Sequence, residues 1–204
     1  MNLYHFSEQE IVRLQSRDEM VEKEARIVED LPEGDERRQQ FHAFLDRDVP
    51  FGSSFKPKMT FWFSDENANQ TWSDWCDGEQ FRPERMRYRY PVHLNNEDDW
   101  LIIPDVIELD RFTDEYMDKA KWMDDCKRYG YHMAVDNIDW DRVAGKYCGV
   151  IITPYQWSRR LEGLSSGWYY PWDCASGFAF DPVQSITLGE ANHESTDQAR
   201  GENR

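Results

Sequence analysis

The sequence contains no apolar run that approaches the roughly 20 residues required by a membrane-spanning helix. Its first ten residues also lack a charged segment followed by an apolar stretch, so no secretion signal is expected. These two absences predict a cytoplasmic protein without membrane association.

Closely spaced metal ligands are also lacking. The four cysteines stand far apart without a CxxC pair, and the five histidines do not complete a zinc-type pattern. We therefore expect no bound metal. Since no secretion signal is expected, the cysteines are interpreted as buried or free thiols and not as two disulfides. They are Cys76, Cys126, Cys148 and Cys174.

Basic side chains are outnumbered, 24 against 40 acidic ones, which gives a formal net charge of −16. Such a charge repels phosphate backbones and disfavours direct nucleic-acid binding. The acidity is typical of a solubilising surface or of adaptation to salt. It also allows an alternative function, in which a non-enzymatic acidic inhibitor imitates DNA and blocks a nucleic-acid-binding host factor.

Large aromatic rings are abundant: aromatics make up 15% of the 204 residues and include nine tryptophans. Rings of this size need a packed core, and the length suits one domain. We predict a single domain over residues 1–188 and a disordered polar tail over residues 189–204, where no apolar pattern recurs.

The first half of the chain begins with a helical region. Residues 3–6 are strand-like, and Ser7 with Glu10 forms a capping-box pattern that predicts a charged helix reaching Leu31. A second helix is predicted over residues 35–46, after a Pro-Glu-Gly break.

From Lys58 onwards, short strands alternate with helices. Pro91 within one strand pattern predicts an edge position or a bulge. Helical patterns cover residues 71–75, 109–129 and 139–144, and strand patterns cover residues 59–64, 85–94, 100–103, 147–153 and 183–188. The sequence therefore predicts an α+β fold, with a helical N-terminal third packed on a small, mainly antiparallel sheet that is either continuous or split.

One segment combines rings, an acid and small residues: Trp168-Tyr169-Tyr170-Pro171-Trp172-Asp173-Cys174-Ala175-Ser176-Gly177. Aromatic faces hold planar rings by stacking, so Trp168 and Tyr170 are candidate cofactor-binding residues. Asp173 is a candidate catalytic acid that orients a hydroxyl or stabilises a developing cation. The alternative is that these rings pack around an irregular loop of the core. We interpret Cys174 as a structural thiol, because no histidine base can be placed beside it.

Two further motifs resemble the ADP-ribosyltransferase fold. Leu3-Tyr4-His5-Phe6-Ser7 is similar to its first-strand motif, and Trp62-Phe63-Ser64 is similar to its second-strand motif. Three further stretches are similar to small phage-encoded proteins of this fold: Trp72-Ser73-Asp74-Trp75, the strand with Tyr88 and Tyr90, and the segment from Trp168 to Gly177. The resemblance spans residues 1–10 and 57–188. The resemblance implies that His5 contacts NAD, that Trp62 and Ser64 line the nicotinamide pocket, and that a later acid holds the ribose.

Two positions depart from the pattern of that family. Phe6-Ser7 replaces the usual Gly-Thr, and no Glu-x-Glu or Gln-x-Glu precedes a late strand. Asp173 is assigned the catalytic role, with Asp181 behind it, while His5 is equally consistent with a structural histidine. The leading hypothesis is an NAD-dependent mono-ADP-ribosyltransferase that modifies a host macromolecule and has a protein substrate or partner. The resemblance to phage-encoded proteins implies a phage protein.

Overall fold

The computed structural model of the chain describes residues 1–45, 53–81, 86–130, 136–161 and 164–193. The strands are β1 (Leu3–Ser7), β2 (Ser53–Ser54), β3 (Phe61–Asp65), β4 (Tyr88–Leu94), β5 (Trp100–Ile103), β6 (Ile138–Asp139), β7 (Gly149–Ile152), β8 (Ser176–Ala179), β9 (Ile186–Leu188) and β10 (Asn192–His193). The helices are α1 (Arg17–Glu29), α2 (Glu36–Leu45), α3 (Trp72–Glu79), α4 (Val106–Tyr116), α5 (Lys119–Tyr129), α6 (Trp140–Ala144), α7 (Trp157–Leu161) and α8 (Pro182–Ser185).

A mixed sheet organises the fold. Its strands follow the order β10-β4-β1-β3-β8-β7-β5, with β9 also paired to β4. The β5–β7 pair is parallel, and the other pairs of this sheet are antiparallel. The predicted α+β class with a mainly antiparallel sheet is therefore confirmed.

The sheet parts between β1 and β3. These strands share only two register pairs, Leu3 with Asp65 and Tyr4 with Ser64. Beyond them, β1 continues along β4 as far as Ser7, while β3 continues along β8 as far as Phe61. A gap therefore opens in the middle of the sheet, between two strands that are each held firmly on their other side.

A cluster of aromatic rings forms the main core on one side of the sheet. Trp140, Trp168, Trp172, Tyr169 and Phe178 are fully buried there. A second, smaller core cluster is separate from the first and includes Leu3, Phe63 and Trp100 of the strands. Val28 of α1 and Phe41 of α2 form a third cluster with Met59, just before β3. The predicted helical N-terminal region is thus joined to the sheet at the start of β3.

The first helix begins later than predicted. Ser7 belongs to β1, where it pairs with Tyr88, so it does not cap a helix. The capping box is formed instead by Ser16 and Glu19: the Glu19 N–H donates to the Ser16 hydroxyl, and the Ser16 N–H donates to the Glu19 carboxylate. The prediction chose the wrong one of two Ser-x-x-Glu patterns, because the sheet pairing of Ser7 is not visible in the sequence.

The predicted helix over residues 109–129 is two helices, α4 and α5. Met117 has the extended dihedrals φ −58° and ψ 132°, and Asp118 caps α5 by accepting from the Lys121 N–H at 2.9 Å. Met117 also forms an isolated bridge with Ile138. A tertiary contact thus interrupts a pattern whose helical period is otherwise continuous.

Pro91 lies inside the sheet and not at its edge. It pairs with Tyr4 of β1, and on its other side its carbonyl accepts from the Gly189 N–H at 2.8 Å. On that second side, β10 pairs with Arg89 and Tyr88, whereas β9 pairs from Val92 onwards. Pro91 therefore sits where β9 gives way to β10, so its missing N–H removes no ladder bond.

The first residues of the predicted disordered tail, 189–193, are ordered against strand β4. Asn192 and His193 form β10 against β4, and Gly189 packs on Pro91. Residues 194–204 lie outside the described part of the chain. Within the described residues, the structure has no helix that is both long enough and apolar enough to cross a membrane.

Two glycines allow the central strands to approach closely. A Cβ on Gly149 of β7 would lie 2.1 Å from the Phe178 carbonyl oxygen and 2.4 Å from the Trp100 ring. A Cβ on Gly177 of β8 would lie 2.7 Å from the Val150 carbonyl oxygen. No side chain fits at either position without displacing backbone.

We predict that Gly149→Ala destabilises the protein by at least about 2 kcal/mol, because the added methyl group overpacks a rigid part of the core. Gly78→Ala is the matched control, since a Cβ on Gly78 in α3 meets nothing within 4 Å. The control should be neutral or stabilising by about 0.5–1 kcal/mol. Urea unfolding followed by tryptophan fluorescence measures both, and equal stabilities of the two variants would contradict the packing described.

Candidate functional site

A cavity of about 370 Å³ opens where β1 and β3 part. Its size falls within the range of small-molecule sites. Residues from β1 and β3 form two of its walls. The rest of the lining comes from Lys56, from Trp72 at the start of α3, and from Asp173, Cys174 and Ser176.

The structure brings four of the predicted site residues together. His5, Trp62, Ser64 and Asp173 all line this cavity, although they are distant in sequence. Trp62 packs against Trp172 and the ring of Phe178, with centroid distances of 5.0 Å to each. Its indole is therefore held in place by the main core while one part of it faces the cavity.

Trp168 and Tyr170, the two other predicted cofactor-binding residues, do not line this cavity. Trp168 is fully buried, and its indole N–H donates to the Thr113 hydroxyl at 2.9 Å. Tyr170 is 61% exposed and lies beside Arg160 outside the lining. For Trp168, the alternative reading of the aromatic segment as core packing is the one that the structure bears out.

The alternation of side chains along the strands separates His5 from Trp62. Tyr4 stands opposite Ser64, so Tyr4, Ser64 and Trp62 share one face of the sheet. His5 belongs to the other face, where it stacks on Phe61 with ring centroids 4.1 Å apart. The imidazole therefore lies in the gap between the strands and not on the face of Trp62.

His5 makes a short hydrogen bond across this gap. Its Nδ1 lies 2.6 Å from the carbonyl oxygen of Trp62. Because a carbonyl only accepts, Nδ1 carries the proton, and in the neutral ring Nε2 is left as an acceptor. Burial lowers the pKa of His5, although the bond to Trp62 acts in the opposite direction. The ring is therefore neutral at neutral pH.

Ser64 is fixed by a network that sequence reasoning missed. Its hydroxyl hydrogen is shared between Glu66 Oε1 at 2.7 Å and the Ala175 carbonyl at 3.2 Å, and its oxygen accepts from the Trp72 N–H at 3.0 Å. The Glu66 carboxylate also accepts from the Trp72 N–H and the Ser73 hydroxyl. Glu66 thus ties the end of β3 to the start of α3 and shapes the cavity wall. The Ser-x-Glu spacing at positions 64 and 66 was the available signal.

Lys56 is the second residue that sequence reasoning missed. Its ammonium group lies 5.1 Å from the ring centroid of Trp62 and 6.0 Å from that of Trp172. Burial lowers the pKa of Lys56, while the carboxylate of Asp173 acts to raise it. No pattern in the Phe-Lys-Pro-Lys segment indicates this position, because only the tertiary fold brings it to the cavity.

Asp173 is a partly buried carboxylate between two cations. Burial raises its pKa, and the nearby charges of Lys56 and Arg160 act in the opposite direction. Arg160 Nη2 lies 3.0 Å from Asp173 Oδ1. The Arg160 guanidinium also lies 5.7 Å from the Tyr170 ring and 6.0 Å from the Trp157 ring. The cavity therefore combines aromatic surface, a carboxylate and a buried cation, which suits a planar ligand with hydroxyl and anionic groups. Within the described residues, no group of three or more side chains is placed to hold a metal ion.

Cys174 is a buried thiol and not an activated nucleophile. It is 5% exposed, and burial raises its pKa to about 12. A thiol needs a lowered pKa or an adjacent base to react at neutral pH. The structural interpretation of Cys174 made from the sequence therefore agrees with its surroundings.

We predict that iodoacetamide at pH 8 labels Cys126 much faster than Cys174. With a pKa of about 12, the thiolate fraction of Cys174 at pH 8 is on the order of one in ten thousand. Cys126 is only partly buried and serves as the internal reference. Peptide mass spectrometry over a time course measures both rates. Equal rates in the folded protein would contradict the buried thiol, whereas equal rates in urea are expected.

Comparisons with known proteins leave the site to be interpreted from its own geometry. No protein-family profile, curated protein or solved structure matches this chain.

Proposed function

We propose that the protein is an NAD-dependent, ADP-ribosyltransferase-like enzyme that transfers ADP-ribose to a macromolecule. The observation that supports this proposal is the convergence of His5, Trp62, Ser64 and Asp173 on one cavity at a parting of the sheet. His5 lies on β1, Trp62 and Ser64 lie on the neighbouring β3, and Asp173 lies in the segment that precedes β8.

The aromatic wall is suited to the nicotinamide ring. Trp62 and Trp72 both line the cavity. The hydrogen bonds of Ser64 to Glu66 and to the Trp72 N–H hold the end of β3 against the start of α3, where these two rings are attached. A planar ring that stacks on an indole is held with little loss of freedom in the protein, because the indole of Trp62 is already packed in the core. Ser64 contributes the shape of this wall, since its hydroxyl hydrogen is bound by neighbouring oxygens.

Asp173 is suited to the ribose. Arg160 contacts its Oδ1, and among the described residues nothing hydrogen-bonds to Oδ2. Oδ2 is therefore available to accept from a ribose hydroxyl. In the reaction, the bond between ribose C1′ and the nicotinamide nitrogen breaks, and its electron pair neutralises the pyridinium ring. The acceptor's lone pair forms the new bond to C1′, its proton passes to solvent, and the Asp173 carboxylate stabilises the positive charge that develops on the ribose.

His5 would anchor the cofactor by its second nitrogen. Its Nδ1–H is occupied by the Trp62 carbonyl, which leaves Nε2 as an acceptor for a ribose hydroxyl. This differs from a role in proton transfer, since the imidazole is neutral and oriented by the backbone. The structural and cofactor-binding roles of His5 are therefore compatible in this geometry.

The distribution of the acidic side chains supports DNA imitation less well than the cavity supports a transferase. Exposed carboxylates are distributed over α1, α3, α4, α5 and the 3-10 turn Glu97–Asp99. We therefore keep the transferase as the proposed function. A chain that ignored NAD but competed with DNA for a basic partner would favour the alternative instead.

We predict that NAD raises the melting temperature and that Asp173→Asn abolishes nicotinamide release while the apoprotein stays folded. At about 100 times Kd, a ligand that binds only the folded state stabilises it by about 2.7 kcal/mol. Asn keeps the size of Asp173 but lacks the charge that stabilises the transition state, so nicotinamide release should fall by about a hundredfold or more.

Asp98→Asn is the matched control, because Asp98 is exposed and lies outside the cavity. It should leave both the thermal shift and nicotinamide release unchanged. Calorimetry and chromatographic detection of nicotinamide give the two readouts. Absence of any thermal shift at millimolar NAD would overturn the proposed function.

A further inference from the structure

We propose that Lys56 is the anion-binding residue of the cavity and holds a phosphoryl group of the bound ligand. The identity of this group as the diphosphate of NAD rests on the proposed function. The presence of an anion subsite rests on the surroundings of Lys56 alone.

The first argument is the burial of the ammonium group. Lys56 lines the cavity, and its nearest named partners are the rings of Trp62 and Trp172. Aromatic faces attract a cation but do not replace all the hydrogen bonds that an ammonium group makes with water. An anion that binds beside Lys56 would replace these lost hydrogen bonds and stabilise the charge of the ammonium group.

The second argument is the balance of charge around Lys56. Lys56 forms no ion pair with any of the described residues, so none of their carboxylate oxygens lies within 4 Å of its ammonium group. Asp173 and Arg160 act on Lys56 through space, and the neighbouring Cys174 is a neutral thiol. Arg160 already pairs with the Asp173 carboxylate at 3.0 Å. Asp173 is therefore already paired with Arg160, and the Lys56 ammonium group keeps no direct carboxylate partner among the described residues.

The third argument is the contrast with the rest of the molecule. The formal net charge is −16, so most of the surface repels anions. Lys56 brings a cation into a partly enclosed cavity, where a charged contact is stronger than in water. Its ammonium group lies 5.1 Å from the ring centroid of Trp62, so a phosphate bound to Lys56 lies beside the aromatic wall, where Trp72 offers a further ring.

The ligand class that follows is a phosphorylated molecule with a planar ring, of which nucleotides and dinucleotides are the common examples. A neutral nucleoside would use the aromatic wall without using Lys56. Free pyrophosphate would use Lys56 without using the wall. These three probes separate the two halves of the cavity.

The experiment compares wild type, Lys56→Gln and Lys56→Arg by isothermal titration with NAD, nicotinamide mononucleotide and nicotinamide riboside. ADP and pyrophosphate are titrated into wild type and Lys56→Gln to test the anion subsite alone. Loss of a charge-assisted contact should weaken NAD and the mononucleotide by about tenfold or more in Lys56→Gln. The riboside lacks phosphate and carries a positive pyridinium ring, so its affinity should not fall in Lys56→Gln. Lys56→Arg should recover part of the affinity, because it restores the charge.

Lys58→Gln is the control, because Lys58 is exposed in the same segment and does not line the cavity. It should bind all three ligands as the wild type does. Melting temperatures of the unliganded variants show whether each is folded, and Lys56→Arg provides the test if Lys56→Gln is not.

The outcomes distinguish this inference from the proposed function. If NAD binds wild type and Lys56→Gln equally, the role of Lys56 is overturned while the proposed function stands. If wild type ignores NAD but binds ADP or pyrophosphate, and Lys56→Gln does not, the transferase proposal fails and the anion subsite stands. If none of these ligands binds wild type, both are overturned.

Discussion

The hydrogen bond between the His5 imidazole and the Trp62 carbonyl holds the parting of the sheet on which the site depends. Where β1 leaves β3, backbone groups that face the gap lose their ladder partners, and a buried carbonyl without a donor is costly. The imidazole supplies that donor through Nδ1 and stacks on Phe61. The Trp62 carbonyl therefore keeps a hydrogen-bond partner where the two strands diverge, and the space between the strands forms the cavity. Rigid surroundings maintain this arrangement, since β3 is fixed to β8 and Trp62 is packed on Trp172.

The cavity combines cations and carboxylates at short range. Lys56 lines it beside Asp173, whose carboxylate pairs with Arg160, and Glu66 ties the strand and the helix that form its wall. Burial shifts the pKa of Lys56 and that of Asp173 in the directions that weaken their charges, and each charge partly restores the other. A ligand with both hydroxyl and phosphoryl groups matches this pair, which is why the carboxylate and the ammonium group are interpreted together.

The sequence predicted the class of fold and four residues of the cavity, because strand alternation and local motifs carry that information. It did not indicate that Trp168 is buried in the core and absent from the cavity lining, since composition cannot distinguish a ring that lines a cavity from one that fills the core. The capping box, the interruption at Met117 and the interior position of Pro91 all depend on pairing between distant segments. Lys56 was missed for the same reason: its segment has no periodicity, and only the closed fold sets it over Trp62.

Amide hydrogen exchange with and without NAD tests most directly that the parting of the sheet is the ligand site. The account predicts slower exchange at the amides of β1, of β3 and of the segment from Asp173 to Ser176, with little change in α4 and α5, which do not line the cavity. Protection confined to α4, α5 or the sheet edge at β5, or no protection at saturating NAD, would contradict it.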